Sequence, residues 1–141
     1  MANPFLIGSK VYLRPLEQED ARTVQPWLND PDIRQFGQMY SPLSLRDEEH
    51  FIEKTNQSQS DVICMIVRQD LNQPIGVTGL HQIDYRNGDC LFGIIIGDKA
   101  AWGMGFGTEA TNLIVGYAFH TLNLHRVSLV VFDFNERARS I

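Results

Sequence analysis

The chain has 141 residues, 43% of them hydrophobic and 21% charged, with 17 acidic against 12 basic side chains and a formal net charge of −5. That size and composition suit one domain, residues 1–141, with a single core, and the acidic balance argues against a nucleic-acid binder working through a general basic surface. The longest apolar stretches, such as Leu91 to Ile96, fall far short of the ~20 residues a membrane span needs.

The opening "MANPFLIGSK" has no apolar run followed by a small-residue cleavage site, so no secretory leader is expected. Lys10 to Pro15, "KVYLRP", alternates and predicts a strand ended by proline. In "EQEDARTVQPWLND", Ala21, Val24, Trp27 and Leu28 share one helical face, and the pattern closes at Asp30 before Pro31. Residues 31–42, "PDIRQFGQMYSP", read as a loop. Ser44 followed by Asp47 opens a second helix with a capping-box pattern, with Leu45, Glu48, Phe51 and Ile52 spaced along it.

The period then changes. "VICMIVR" (Val62 to Arg68), "PIGVTGLHQI" (Pro74 to Ile83) and "CLFGIIIG" (Cys90 to Gly97) predict three strands, with turn signals at Asp70 to Pro74 and at Asn87-Gly88. Their short connections imply antiparallel pairing. Cys64 and Cys90 lie inside apolar strands and are expected as reduced core residues, which together with the missing leader implies a cytoplasmic protein. Ala110, Leu113, Ile114, Tyr117, Ala118 and Leu122 repeat at helical spacing, and this helix is expected to stop near Asn123. "RVSLVVFDF" from Arg126 is apolar on both faces, as a central strand would be, and Asn135 can cap a last helix in "NERARSI".

Gly103, Gly105 and Gly107 stand at alternate positions at the mouth of the third long helix. Glycine inside a helix costs roughly 1 kcal/mol against alanine, so the cluster points to an anion close to the backbone, where free N–H groups and the helix dipole favour negative charge. The alternative is a tight strand-to-helix turn packed under Trp102 and Phe106. A dinucleotide fingerprint needs G-x-G-x-x-G in a parallel sheet, and a Walker A loop needs a lysine before its Ser/Thr. Neither fits G-x-G-x-G after an antiparallel meander, with Phe106 and Gly107 before Thr108. Residues 100–125 hold no lysine or arginine, so a bound phosphate must rest on backbone N–H groups.

The order of elements, with "IIIGDKAAWGMGFGTEATNLIVGYAF" followed by "LNLHRVSLVVFDFNERA", resembles the GNAT superfamily of acetyl-CoA-dependent N-acetyltransferases. Within it, the branch containing ribosomal-protein N-terminal and spermidine acetyltransferases is the most similar. The resemblance implies an α+β fold: a mixed, largely antiparallel sheet flanked by helices, with the cofactor helix after the glycine loop. It also implies that the sequence stops before the last helix and final two strands of that fold. The pyrophosphate pattern Gln/Arg-x-x-Gly-x-Gly/Ala falls on Trp102, Gly103, Met104, Gly105, Phe106 and Gly107, with Thr108 entering the helix. Trp102 replaces the Gln/Arg of the pattern, and Met104 stands where a cation is common. Ile95, Ile96 and Gly97 match the segment whose backbone pairs with the pantetheine arm, and Asn135 matches a cofactor-contacting asparagine.

The activity implied is transfer of an acetyl group from acetyl-CoA, as co-substrate, to a primary amine of a small molecule or peptide, by direct attack in a ternary complex. The oxyanion would face backbone N–H groups where the strand of Phe92 to Ile96 splays from its neighbour. In relatives the acid is often a tyrosine seven residues after the asparagine, the first position past Ile141, so loss of turnover and a CoA-binding role are the alternative, as is a structural module. No catalytic base stands out: where some relatives carry a glutamate this chain has Leu91 and Phe92, and His81, Asp84 and Tyr40 remain as candidates. Arg126, Arg137 and Arg139 are candidates for the adenine-side phosphates. His50, His120 and His125 lack metal-ligand spacing, and no metal is expected. The acceptor is expected to enter beside residues 32–42, with Phe36 and Tyr40 setting selectivity. The open edge of the Arg126 strand in a chain ending here is expected to pair with a second copy.

Overall fold

The computed structural model of the protein describes residues 1–34 and 42–129. Two short antiparallel strands, β1 (Leu6–Ile7) and β2 (Val11–Pro15), lead through a single 3₁₀ turn into α1 (Ala21–Asn29), followed by the short α2 (Pro31–Arg34) and by α3 (Leu45–Gln57). A meander of β3 (Val62–Arg68), β4 (Gln73–Asp84) and β5 (Asp89–Ile96) follows, then α4 (Phe106–His120) and β6 (Arg126–Leu129). The sheet order is β1-β2-β3-β4-β5-β6. The pairs are antiparallel as far as β5, and β6 then runs parallel to β5. This is the mixed, mostly antiparallel α+β sheet expected from the sequence, with α4 as the crossover that a parallel pair requires.

Alternation along the central strands sorts the core into two layers. Val11, Leu13, Cys64, Ile66, Leu80 and Phe92 pack with Phe106, Ala110 and Ile114 of α4. On the opposite face, Tyr12, Met65 and Val67 pack with Ala21 and Val24 of α1 and Ile52 of α3. Being covered on both faces is why "VICMIVR" reads as an unbroken apolar run. Cys64 and Cys90 are both buried as free thiols, and burial pushes the Cys64 thiol up to about 12.

Helix α3 begins as its sequence predicts. Ser44 Oγ accepts from the Asp47 amide at 3.0 Å and the Asp47 carboxylate accepts from the Ser44 amide at 3.1 Å. Of the residues spaced along it, Phe51 stands apart. Glu48, Ile52 and Thr55 face inward while Phe51 is 47% exposed, because i, i+4, i+7 spacing places those three, and not Phe51, in line. Residues 31–34 correct one expectation: they form α2 instead of loop, with the Ile33 amide bonded to the Asp30 carbonyl at 3.0 Å. Helix α4 ends at His120, and Asn123 takes the left-handed conformation (φ 56°).

Of the strand expected from Arg126 to Phe134, residues 126–129 are described and half exposed, with Leu129 40% exposed. Residues 130–141, including Asn135, Arg137, Arg139 and the edge expected to pair with a second copy, lie outside the described residues, as do Phe36 and Tyr40.

Candidate active site

The glycine loop forms the mouth of α4. Gly103 (φ +79°) and Gly105 (φ +84°) both adopt the left-handed region, where a side chain costs roughly 1–2 kcal/mol. Gly105 is the N-cap, and its carbonyl accepts from the Glu109 amide at 3.1 Å. Gly107 differs: a Cβ there would meet Ile96 Cγ1 at 3.7 Å, an ordinary contact, so this glycine sits on the sheet-facing side of the first turn. Among the described residues, the amides of Gly103 to Thr108 have no hydrogen-bond acceptor. Free N–H groups converging at a helix N-terminus form an electropositive cradle for an anion. Thr108 and Met104 are exposed at its rim.

Trp102 ties this loop to the sheet, its indole N–H donating to the Ile96 carbonyl at 2.8 Å. The amides of Gly97 and Asp98 both donate to the Ile75 carbonyl, at 2.8 and 3.1 Å. With Gly97 bonded to β4, the alternation of an antiparallel ladder turns the Ile96 backbone groups away from β4. The Ile96 carbonyl is thus occupied by Trp102. Gly97 itself lies against Trp27 of α1, where an added Cβ would stand 2.0 Å from the indole.

The cation absent from the loop sequence comes from a distant part of the chain. Lys10 Nζ stands 3.7 Å from the point a Gly105 Cβ would occupy. Glu109, in the first turn of α4, holds it there by gripping the β1–β2 turn. Its carboxylate accepts from the amides of Ser9 (3.1 Å), Lys10 (2.8 Å) and Val11 (2.7 Å) and from Ser9 Oγ (2.6 Å). Gly8 leaves room, since a Cβ there would be 2.8 Å from the Glu109 carboxyl. Burial pushes this carboxyl up, but the hydrogen bonds from Ser9, Lys10 and Val11 outweigh it and leave it below its ordinary value. Sequence reading missed Lys10 because about a hundred residues separate it from the loop. Arg68 is also close, 4.8 Å above the Phe106 ring, and its guanidinium is held by Asp70 at 2.7 Å.

On the α1 side of the sheet, Thr23, Trp27, Asp30, Gln73, Gly97 and Lys99 line an open cavity of about 480 Å³ at the end of β5. Lys99 bridges Asp30 (2.9 Å) and Asp32 (2.8 Å). Hydrogen bonds to the two aspartates raise the Lys99 ammonium above its ordinary value.

The candidate bases separate clearly. Asp84 is committed to its own turn, accepting from the amides of Arg86 (3.1 Å) and Asn87 (3.0 Å) and from Asn87 Nδ2 (2.8 Å). The Asn87 amide contributes most to holding it below its ordinary value. It therefore serves the β4–β5 hairpin. His81 Nδ1 lies 3.0 Å from Asp61 Oδ1, with Ser58 Oγ donating to the other Asp61 oxygen at 2.7 Å. His50, His120 and His125 are exposed, and no three His, Cys, Asp or Glu side chains group as metal ligands among the described residues. No helix among them is long and apolar enough to cross a membrane.

This architecture, a mixed sheet whose parallel crossover helix opens on a left-handed glycine loop with free amides, defines an acetyltransferase-type domain. Residues 10–141 match the Acetyltransferase (GNAT) domain, and the chain belongs to that family. It is 28% identical over 130 residues to the uncharacterized N-acetyltransferase p20 of Bacillus licheniformis, covering 89% of this chain and 72% of that protein. It is 29% identical over 133 residues to the spermidine N(1)-acetyltransferase of Escherichia coli, covering 91% of this chain and 67% of the relative. The structure of spermidine N-acetyltransferase from Vibrio cholerae in complex with CoA and spermine superposes with a TM-score of 0.82 at 27% identity, over 94% of this chain and 78% of that one.

Proposed function

We propose that this domain carries acetyl-CoA on the glycine loop and transfers its acetyl group to a primary amine, with polyamines such as spermidine as the first acceptors to test. The observation that carries the reading is the cradle at α4: left-handed Gly103 and Gly105, amides of residues 103–108 without an acceptor among the described residues, and Lys10 Nζ at its rim. The family match and the spermidine acetyltransferase relatives support it.

In this reading Gly103 to Thr108 hold the pyrophosphate by backbone N–H groups and the α4 dipole. Trp102, Phe106 and Gly107 set the loop on the sheet. Met104 leaves one side of it without a cation, and Lys10 supplies that charge from the β1–β2 turn. Ile95, Ile96 and Gly97 line the pantetheine arm, the Ile96 carbonyl already accepting from the Trp102 indole N–H, and Asn135 completes the set by its match to the family pattern. The co-substrate brings an activated thioester, so the protein needs to orient the amine, take up its proton and stabilise the developing oxyanion.

The test has two arms. CoA affinity is measured by calorimetry, and thiol release from acetyl-CoA is followed with spermidine, a peptide bearing a free N-terminus and an aminoglycoside. CoA binding with turnover on at least one amine supports the reading. CoA binding without turnover leaves only the binding half of it, and no CoA binding refutes it.

A further inference from the structure

The α1-facing side of the sheet carries a notch with a histidine at its edge. Gly79 and Gly93 are direct cross-strand partners on β4 and β5, and the next pair on the same face is His81 with Leu91. With two glycines opposite each other, the sheet has no side chains at that point. Gly79 is a glycine for a further reason, since a Cβ there would stand 2.5 Å from the Val62 carbonyl of β3.

The imidazole of His81 leans over this notch. Its Nε2 lies 3.3 Å from the point a Gly79 Cβ would occupy, and its Cδ2 and Nε2 lie 3.9 Å from the corresponding point at Gly93. The other ring nitrogen is engaged: Nδ1 meets Asp61 at 3.0 Å, and the side chains of the pair are 34% and 25% exposed. Asp61 is itself braced by Ser58 Oγ at 2.7 Å. A carboxylate on Nδ1 sets the tautomer with the lone pair on Nε2. Among the described residues Nε2 has no hydrogen-bond partner.

We infer that His81 is the general base of this enzyme, with Asp61 as the positioning residue that orients its ring, and that the acceptor amine reaches Nε2 across the Gly79–Gly93 notch. The inference rests on the acetyl-transfer reading above. Under that reading the pantetheine arm lies along Ile95–Gly97, and two strand residues, ~7 Å, separate Ile95 from Gly93. The reacting end of an arm that continues along β5 from the glycine loop therefore arrives beside the notch. Among the described residues, the ionisable group facing the ring is Asp61, from the turn before β3. Around it β5 presents Leu91 and Gly93 and β3 presents Ile63, none of which titrates, and Asp84 and Asp89 close the far end of the hairpin.

The chemistry balances as follows. Nε2 of His81 takes a proton from the ammonium of the acceptor, and the freed nitrogen pair forms a C–N bond to the thioester carbonyl carbon. The C–S bond breaks with its electron pair on sulfur. The second N–H proton ends on that sulfur as thiol, and the proton on His81 passes to solvent.

The test compares wild type, His81→Gln and Asp61→Asn on the best acceptor of the amine panel, with CoA affinity and melting temperature measured for each. His81→Gln should lower kcat/KM by ~10²-fold or more at pH 7 with CoA affinity within threefold. Its deficit should shrink at least tenfold by pH 9.5, because a free amine with a pKa of ~10.4 then needs the base less. Asp61→Asn, which keeps the histidine, should lower kcat by a smaller factor, and the double variant should lose no more than His81→Gln alone, since the two act as a unit. A deficit that stays constant with pH, or normal rates in either folded single variant, overturns the assignment while leaving the acetyl-transfer reading standing. Should His81→Gln fail to fold, the pH dependence of the Asp61→Asn deficit decides in the same way. A wild-type chain that binds CoA and acetylates no amine overturns both.

Discussion

Glu48 lies on the inward face of α3, 3% exposed, with no hydrogen-bond or ionic partner among the described residues. Burial raises its carboxyl from 4.5 to about 7. A carboxyl with a raised folded value keeps its proton in the folded state over a window where the unfolded chain has released it, so stability falls as pH rises from about 4.5 to about 7. At 1.36 kcal/mol per unit the upper bound is ~3.4 kcal/mol, and partial solvent access reduces the expectation to ~2 kcal/mol. Glu48→Gln removes the ionisation while keeping the shape. Any cost of the amide itself is independent of pH, so the difference between the two proteins across the window isolates the carboxyl. Urea denaturation at pH 4.5, 6 and 7.5 should show the variant gaining on wild type by ~2 kcal/mol from the lowest to the highest pH, or ~4–8 °C in melting temperature. Parallel stability curves, differing by less than ~0.5 kcal/mol across that range, would show that Glu48 ionises as freely in the folded as in the unfolded chain and would refute the argument.

The cofactor loop supplies further expectations. Gly105→Val puts a β-branched side chain at φ +84° and should weaken CoA binding at least tenfold, ~1.4 kcal/mol; unchanged affinity in a folded variant refutes the cradle. Met104→Lys should tighten CoA binding and Lys10→Ala should loosen it, both effects fading as salt screens the charge; titration at two ionic strengths reads this directly. Glu109→Gln weakens the bonds to Ser9, Lys10 and Val11 and should cost ~1–2 kcal/mol at pH 7. Because the Glu109 carboxyl sits below its ordinary 4.5, its contribution is complete above that pH and disappears as pH falls through the lower folded value, where variant and wild type should converge. Gly97→Ala drives a methyl into Trp27 and should destabilise by ~1–3 kcal/mol, whereas Gly103→Ala, whose Cβ meets nothing within 4 Å, should cost only the ~1–2 kcal/mol of its left-handed backbone.

Much of this was legible along the chain because the signals are local. Short apolar, β-branched runs with short turns between them determined a meander at Val62 to Gly97, and Ser44 with Asp47 determined where α3 begins, since a capping box involves only residues three apart. Three glycines before an apolar helical run marked the loop that opens α4, and with the flanking strands they carried the family resemblance. Phe51 and Ile52 are adjacent in sequence, yet helical geometry puts Ile52 in line with Glu48 and Thr55 against the core and leaves Phe51 exposed.

Which charges lie around the candidate site was decided by tertiary structure alone. No spacing rule connects Lys10 to Gly105, Ser9 to Glu109, or Asp61 to His81. Lys10 and Ser9 meet their partners because α4 packs on the face of the sheet beside the β1–β2 turn, and Asp61 meets His81 because the β3–β4 register places the turn before β3 beside it. Hydrophobic periodicity constrains which face a residue occupies, a property of its neighbours one to four positions away. Electrostatic partnership depends on separation in space, and in this chain that separation is set by strand pairing and by the packing of α4 on the sheet, between residues far apart in sequence.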